Sequence, residues 1–345
     1  MEHSDADESW DERELVYGAR ALGKRKRGAQ VIDVIGIGHN HTEDGPFHEA
    51  DFWYISDMYV TPDNKVLVCD HYHSVISEIN LETRRVDHVA GPEPFNRPTA
   101  VAAGPDGQVY VADTGNNSIV VKYPNGTLEE LRNCAPSDNL PYDEKYQTEM
   151  AMPTGLAVLP DTSLLIADRN RIRRIDADGH CFTVAGSYFS GCQNGNATLD
   201  PGEVKFNTPS SLAVLPRPQR GGTDEILIAD TGNDRIRMLI YDDATATVRV
   251  VTVAGNGTPG TQDGFADEAQ FDQPKNIAVL SDGRILVADK SPGIRVISAD
   301  LREVSTLHID NEIGRPTAFA QVRDGTVLVA TVNENQHQIY MVKGL

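Results

Sequence analysis

The chain has 345 residues, 39% of them hydrophobic, with 29 Gly and 19 Pro, a composition that buries a large core and turns often. Asp and Glu outnumber Lys and Arg by 51 to 31, a formal net charge of -20, and that field repels phosphate backbones and argues against RNA or DNA as the general partner. No stretch approaches the ~20 apolar residues of a membrane span.

Residues 1–28 read as a charged, disordered tail. They are acidic to Glu14 and end in LGKRKRG, with no basic start followed by an apolar run as in a secretory signal. A cytoplasmic location is expected. The basic run Lys24–Arg27 allows a nuclear address but reads more simply as a solvated linker, and secretion stays open. The four cysteines, Cys69, Cys134, Cys181 and Cys192, form no CxxC pair, so four reduced thiols are expected and no zinc cluster. Five Asn-X-Ser/Thr triplets, at Asn40, Asn116, Asn125, Asn196 and Asn256, are read as turn chemistry.

From residue 29 onward the chain repeats. VLVCD ends at Asp70, VYVAD at Asp113, LLIAD at Asp168, ILIAD at Asp230, ILVAD at Asp289 and VLVAT at Thr331. The steps between them are 43, 55, 62, 59 and 42 residues, the longer ones holding loops that expand without disturbing the repeated part. Each run is short and β-branched, which suits a buried strand. Ahead of five of the runs lies a proline, an apolar strand and a turn: Pro98, Pro153, Pro209, Pro274 and Pro316. Asp106-Gly107, Asp282-Gly283 and Asp324-Gly325 are the preferred pair for a tight hairpin, whose backbone must reach positive φ. A third strand follows each Asp loop (VISEI, IVVKY, IRRID, IRMLI, IRVIS, QIYMV), and a fourth is visible in RVDHVAG, HCFTVAG and VVTVAG.

Four short antiparallel strands in each of six units predict an all-β, six-bladed β-propeller. The last unit ends at Leu345 after its third strand, so VIDVIG at Val31–Gly36 is expected to complete the last blade and close the ring, removing an exposed edge. The propeller domain is placed at residues 29–345. The ordered series PxxLAV, DG, ILIADTGNDRIR and VTVAG resembles NHL repeats over about residues 31–345, with Thr331 departing from the aspartate of the pattern. The resemblance implies a propeller that binds RNA, binds protein, or completes peptide amidation as a lyase; related six-bladed folds include calcium-dependent lactonases.

An acid present at five of six equivalent sites is read as a joint rather than a catalyst. Asp70, Asp113, Asp168, Asp230 and Asp289 are expected to accept backbone N–H groups from the turn that follows. Strand direction puts these loops and the long Gly-rich connections after the fourth strands on one face, and Phe206, Phe265 and Phe271 are expected to pin those connections over the blade below. On that face His39, His41, His71 and His73, together with Arg169, Tyr188, Phe189 and Lys290, are candidate binding residues. A non-catalytic scaffold for a protein or peptide, acting as a monomer and needing no cofactor, is the leading reading. Its alternatives are a metal-dependent hydrolase or lyase and an RNA-binding module. Four imidazoles suit zinc or copper. At the axis Asp57, Ala100, Gly155, Ser211, Asn276 and Ala318 line up; Asp57, Ser211 and Asn276 are the candidate channel residues, and Asp57 and Asn276 alone are good oxygen ligands for calcium, which takes six to eight.

Overall fold

The computed structural model describes residues 29–37, 44–91, 94–131, 150–216, 223–242, 245, 247–309, 313–334 and 336–345; the tail at 1–28, Cys134, His39 and His41 lie outside them. The described strands form six antiparallel sheets. Blades 1 to 5 are consecutive along the chain, with inner strands Ile55–Val60, Ala100–Ala103, Pro153–Val158, Ser211–Val214 and Asn276–Val279. Blade 6 has Arg315–Gln321 innermost and receives its outer strand, Gln30–Ile35, from the start of the chain. Gln30 pairs with Lys343 and Ile35 with Ile339, so the ends of the propeller share one blade as expected. The inner strands touch in sequence from blade 1 round to blade 6 and back to blade 1.

The second strands of blades 1, 3 and 5 are buried along their whole length, and those of blades 2, 4 and 6 over at least their last or first three residues. Each blade packs both of its faces against neighbours, so the apolar pattern there is continuous rather than alternating. The core is accordingly divided into six clusters, one for each seam between blades, and the cluster joining blade 6 to blade 1 includes Ile35, Met58, Val66, Ala318 and Leu328. Each fully buried Val, Leu or Ile contributes about 1.5–3 kcal/mol relative to exposure. The hairpins between first and second strands turn on Gly107, Gly283 and Gly325 at φ 81°, 88° and 81°.

Three connections behave differently from expectation. Gly45–Pro46, Gly195–Asn196 and Gly264–Phe265 each pair with the outer strand of the blade they lead into, near its start, as a two-residue fifth strand. The Gly-rich connections therefore leave the face on which they begin and run down the rim. Phe206 and Phe271 are fully buried and hold these segments, but Phe265 is 61% exposed, because it sits on the fifth strand itself. The thiols also differ. Cys181 is disulfide-bonded, while Cys69 is buried and free and Cys192 exposed and free. Three sequons are Asx turns, Asn125, Asn196 and Asn256 each accepting the N–H of the threonine two residues on, at 2.8–2.9 Å.

Candidate functional site

The upper face is built by two sets of hydrogen bonds that repeat round the ring. In blades 1 to 5 the strand-end carboxylate accepts the N–H of the residue four places ahead of the channel position. Trp53 donates to Asp70 at 2.8 Å, Asn96 to Asp113 at 2.7 Å, Ala151 to Asp168 at 2.7 Å, Asn207 to Asp230 at 2.8 Å and Asp272 to Asp289 at 3.2 Å. The backbone of the following turn is a donor in blades 1 and 5, through His73 and Ser291; in blades 2 and 4 the turn instead offers the side-chain amides of Asn116 and Asn233. Thr331, buried at the sixth position, has no carboxylate to offer. The second set ties blades 1 to 5 in succession: Ser74, Asn117, Asn170 and Asp234 side chains accept N–H groups of Arg97, Met152, Thr208 and Gln273 at 2.7–3.1 Å. Inside these, Ser56, Thr99, Thr154 and Ser210 donate to the carbonyls of Pro98, Pro153, Pro209 and Pro274 in the next blade. The proline is thus the register mark for a hydroxyl staple, and Lys275 interrupts the series in blade 5.

Arginines from the third strands lock the connections from within. Arg237 is fully buried, donates to Asp230 at 2.8 Å, to Asn194 at 2.7 Å and to the Gln193 carbonyl at 2.9 Å, and lies over the Phe206 ring at 5.2 Å. Arg295 does the same for the next connection, reaching Gln270, Gln262 and Asp263 over Phe271. Burial raises the Asp230 carboxyl above its usual range against the pull of Asn207, Asn233 and Arg237. In blade 3, Arg171 and Arg173 bond Asp168 and Arg174 bonds Asp161, all three guanidinium groups buried. Three of the four arginines of the RNRIRR run are therefore turned inward, and only Arg169 reaches the surface, so the run presents no basic stripe for RNA.

The large exposed apolar side chains of this face are mostly aromatic, Met152 apart. Trp53 and Tyr72 are 41% and 47% exposed, with ring centroids 5.1 Å apart. His73 packs edge-on to Trp53 and its Nδ1 is 2.9 Å from Asp70; His71 packs on Tyr72 at 4.8 Å and its Nδ1 lies 3.0 Å from the Pro98 carbonyl. Tyr54 joins this group to His337 of blade 6. Burial lowers the affinity of His71 and of His337 for a proton, opposed at His71 by the Pro98 carbonyl. A second patch lies at the lead-in to blade 4, where Arg169 stacks over Tyr188 at 4.0 Å and Tyr188 meets the 75% exposed Phe189. Lys290 stands apart in blade 5, 3.9 Å from Asp272. The candidate residues thus fall into separate groups. Trp53, Tyr54, Tyr72 and His337 were missed, although WYIS and HYHS of blade 1 stand where other blades carry turn residues.

His71 and His73 do not form a ready metal centre. Among the described residues, the one group whose ligand atoms lie within 4.8 Å of one another is Asp176, Asp178 and His180, an exposed hairpin in which Asp176 accepts the N–H groups of Asp178 and His180. At the axis, Asp57 accepts from Asn276 Nδ2 at 2.8 Å and from Val101 N–H at 3.1 Å, while Asn276 Oδ1 accepts from Phe319 N–H and Ser211 Oγ from Ile277 N–H. These side chains cap the exposed edges of neighbouring inner strands. Ala100, Gly155 and Ala318 add no donor atoms, so the set does not fit calcium.

A family model for the NHL repeat matches residues 95–121, the segment carrying Asp113 and its carboxylate joint. The chain is a six-bladed β-propeller that carries an NHL repeat at residues 95–121. The chain is 28% identical over 306 residues to Protein SUPPRESSOR OF QUENCHING 1, chloroplastic, of Arabidopsis thaliana, a match covering 80% of the chain and 28% of that protein. It thus spans little more than a quarter of the relative's length. Its backbone resembles an auxiliary nutrient binding protein of Bacteroides ovatus (TM-score 0.68, 14% identity, 92% of this chain and 77% of that one). It also resembles a virginiamycin B lyase of Staphylococcus aureus (TM-score 0.53, 16%, 89% and 88%). A gluconolactonase of Xanthomonas campestris is similar as well (TM-score 0.58, 12%, 84% and 86%). At these identities the likeness concerns the fold. No described helix is long and apolar enough to cross a membrane.

Proposed function

We propose that the propeller is an interaction scaffold that holds a protein or peptide on its upper face, centred on the blade 1 aromatic cluster. The observation that carries this reading is the exposed pair Trp53 and Tyr72, backed by His71 and His73, which are themselves fixed by Pro98 and Asp70. Rigid aromatic side chains presented by a fixed scaffold are what binding hot spots are made of, and the ring of joints keeps their backbone in place. The formal charge of -20 favours a basic partner. The metal-dependent hydrolase reading needs a converging ligand set, which the axial residues do not supply.

The test is quantitative affinity capture with wild type, a Trp53→Ala/Tyr72→Ala variant and, as a control on the opposite face, Asp178→Ala. Partners retained by wild type and the control but lost from the aromatic variant are expected. Identical recovery by all three proteins refutes the assignment of the face.

A further inference from the structure

Below Asp57 the central channel widens into a cavity of about 440 Å³, walled by the inner strands of all six blades. That volume lies within the roughly 300–1,000 Å³ range of small-molecule sites. Its lining runs from Asp57 and Ser211 towards the far ends of the inner strands at Val60, Pro216 and Gln321, so it opens on the face opposite the aromatic cluster. The walls between are mixed, the polar edges of the inner strands alternating with hydrocarbon from Val158, Val214 and Val279. At the upper end the Asp57 carboxylate is held by neutral donors, the Asn276 amide and the Val101 N–H. Among the described residues no Lys, Arg or His pairs with it. On the opposite wall Ser211 Oγ accepts the Ile277 N–H, and its own proton goes to no described residue.

A half-buried carboxylate without a counter-charge takes up either a proton or a cation. Asp57 and Asn276 offer too few oxygen ligands to hold a metal ion, and the excess of acidic residues raises the local concentration of cations over anions. We propose that the lower channel binds a small organic ammonium ion with an apolar body, its N–H groups on the Asp57 carboxylate and its hydrocarbon against Val158, Val214 and Val279. This site is separate from the upper face and does not depend on it.

The probe is cyclohexylmethylamine, with cyclohexylmethanol as its uncharged isostere, added to the full chain. At millimolar concentration the amine is expected to raise the melting temperature by several degrees and the alcohol to leave it unchanged. Enclosure pushes the Asp57 carboxyl up to about 7, so an ammonium bound there displaces a proton to solvent. Calorimetry in two buffers of different ionisation heat should show close to one proton released per amine at about pH 6, fading above about pH 8. Asp57→Asn is expected to weaken amine binding at least tenfold. Equal stabilisation by the alcohol, binding without proton release, undiminished binding to Asp57→Asn, or no binding of the amine overturns the proposal. Should Asp57→Asn fail to fold, proton release by the wild type decides alone.

Discussion

Titrating the propeller from pH 5 to pH 8.5 tests the environment of Asp57 without any ligand. Enclosure raises this carboxyl from 3.8 to about 7, against the lowering effect of Val101, Asn276 and Met58. A raised acid contributes most stability while both folded and unfolded chains are protonated, below about pH 4. That contribution declines as the pH climbs and is gone once the folded carboxyl ionises near pH 7. At 1.36 kcal/mol per pH unit the whole change is roughly 4 kcal/mol, an upper bound because one side of the carboxylate faces the channel cavity and can be hydrated. With an unfolding entropy of about 2 cal/mol/K per residue, that corresponds to about 6 °C in melting temperature. Other groups titrate in the same range, so the quantity to follow is the difference between wild type and Asp57→Asn. The asparagine cannot ionise, and its amide faces either Val101 N–H or the Asn276 amide, an offset that does not vary with pH. The wild-type advantage should shrink by several degrees between about pH 5 and pH 8, read by scanning calorimetry. A difference constant to within about a degree would show that Asp57 is not held as described.

Four further outcomes follow from the packing. Deleting residues 1–24 should leave the melting temperature unchanged, whereas deleting 1–38 removes the outer strand of blade 6 and with it buried Ile35, and should lower it sharply; equal melting of the two truncations contradicts the closure. Arg237→Met strands the Asp230 carboxylate in the core and should cost about 3–5 kcal/mol in denaturant unfolding, part of it restored by adding Asp230→Asn. Cys181→Ser should cost about 2–4 kcal/mol by the same measurement, and a midpoint unmoved from wild type would deny the disulfide a stabilising part. Trp53→Ala/Tyr72→Ala, on an exposed patch, should change stability by less than about 1 kcal/mol while abolishing partner capture.

Features written in local backbone chemistry were legible before the structure was known. Asp-Gly pairs demand positive φ wherever they fall, and β-branched runs of even length mark the strands, so blade count, hairpins and closure could all be read. The joints were half legible. A strand-end aspartate announces that it needs donors, but its main donor lies 17 residues earlier in blades 1, 2, 3 and 5 and 23 earlier in blade 4, a distance set by tertiary folding. Arg237 and Arg295 were not singled out, being charged residues within apolar strands; only the folded connections, with their carbonyls and the Phe206 and Phe271 rings, show that they are interior. Phe265 and Phe271 are six residues apart in one loop, and nothing local says that the first lies on the rim and the second beneath it. At the candidate site, the aromatic cluster unites Trp53 and Tyr54 with Tyr72 and His337, and no short-range pattern links blade 1 to the last blade.

The pairing of Gln30 with Lys343 also sets an order of events during synthesis. The strand that finishes the ring is made before every other strand of the propeller and must wait for nearly all of the propeller before its partner exists. Until then the first blade lacks its neighbour on one side and the seam cluster containing Ile35 is open to solvent. Contacts of such long sequence separation slow folding and lengthen exposure to aggregation. The same adjacency gives the finished molecule a freedom that linear chains lack: a short linker joining residue 345 to residue 29 should permit new ends to be cut at another hairpin, turning a propeller stitched across two termini into one whose blades are each made from continuous chain.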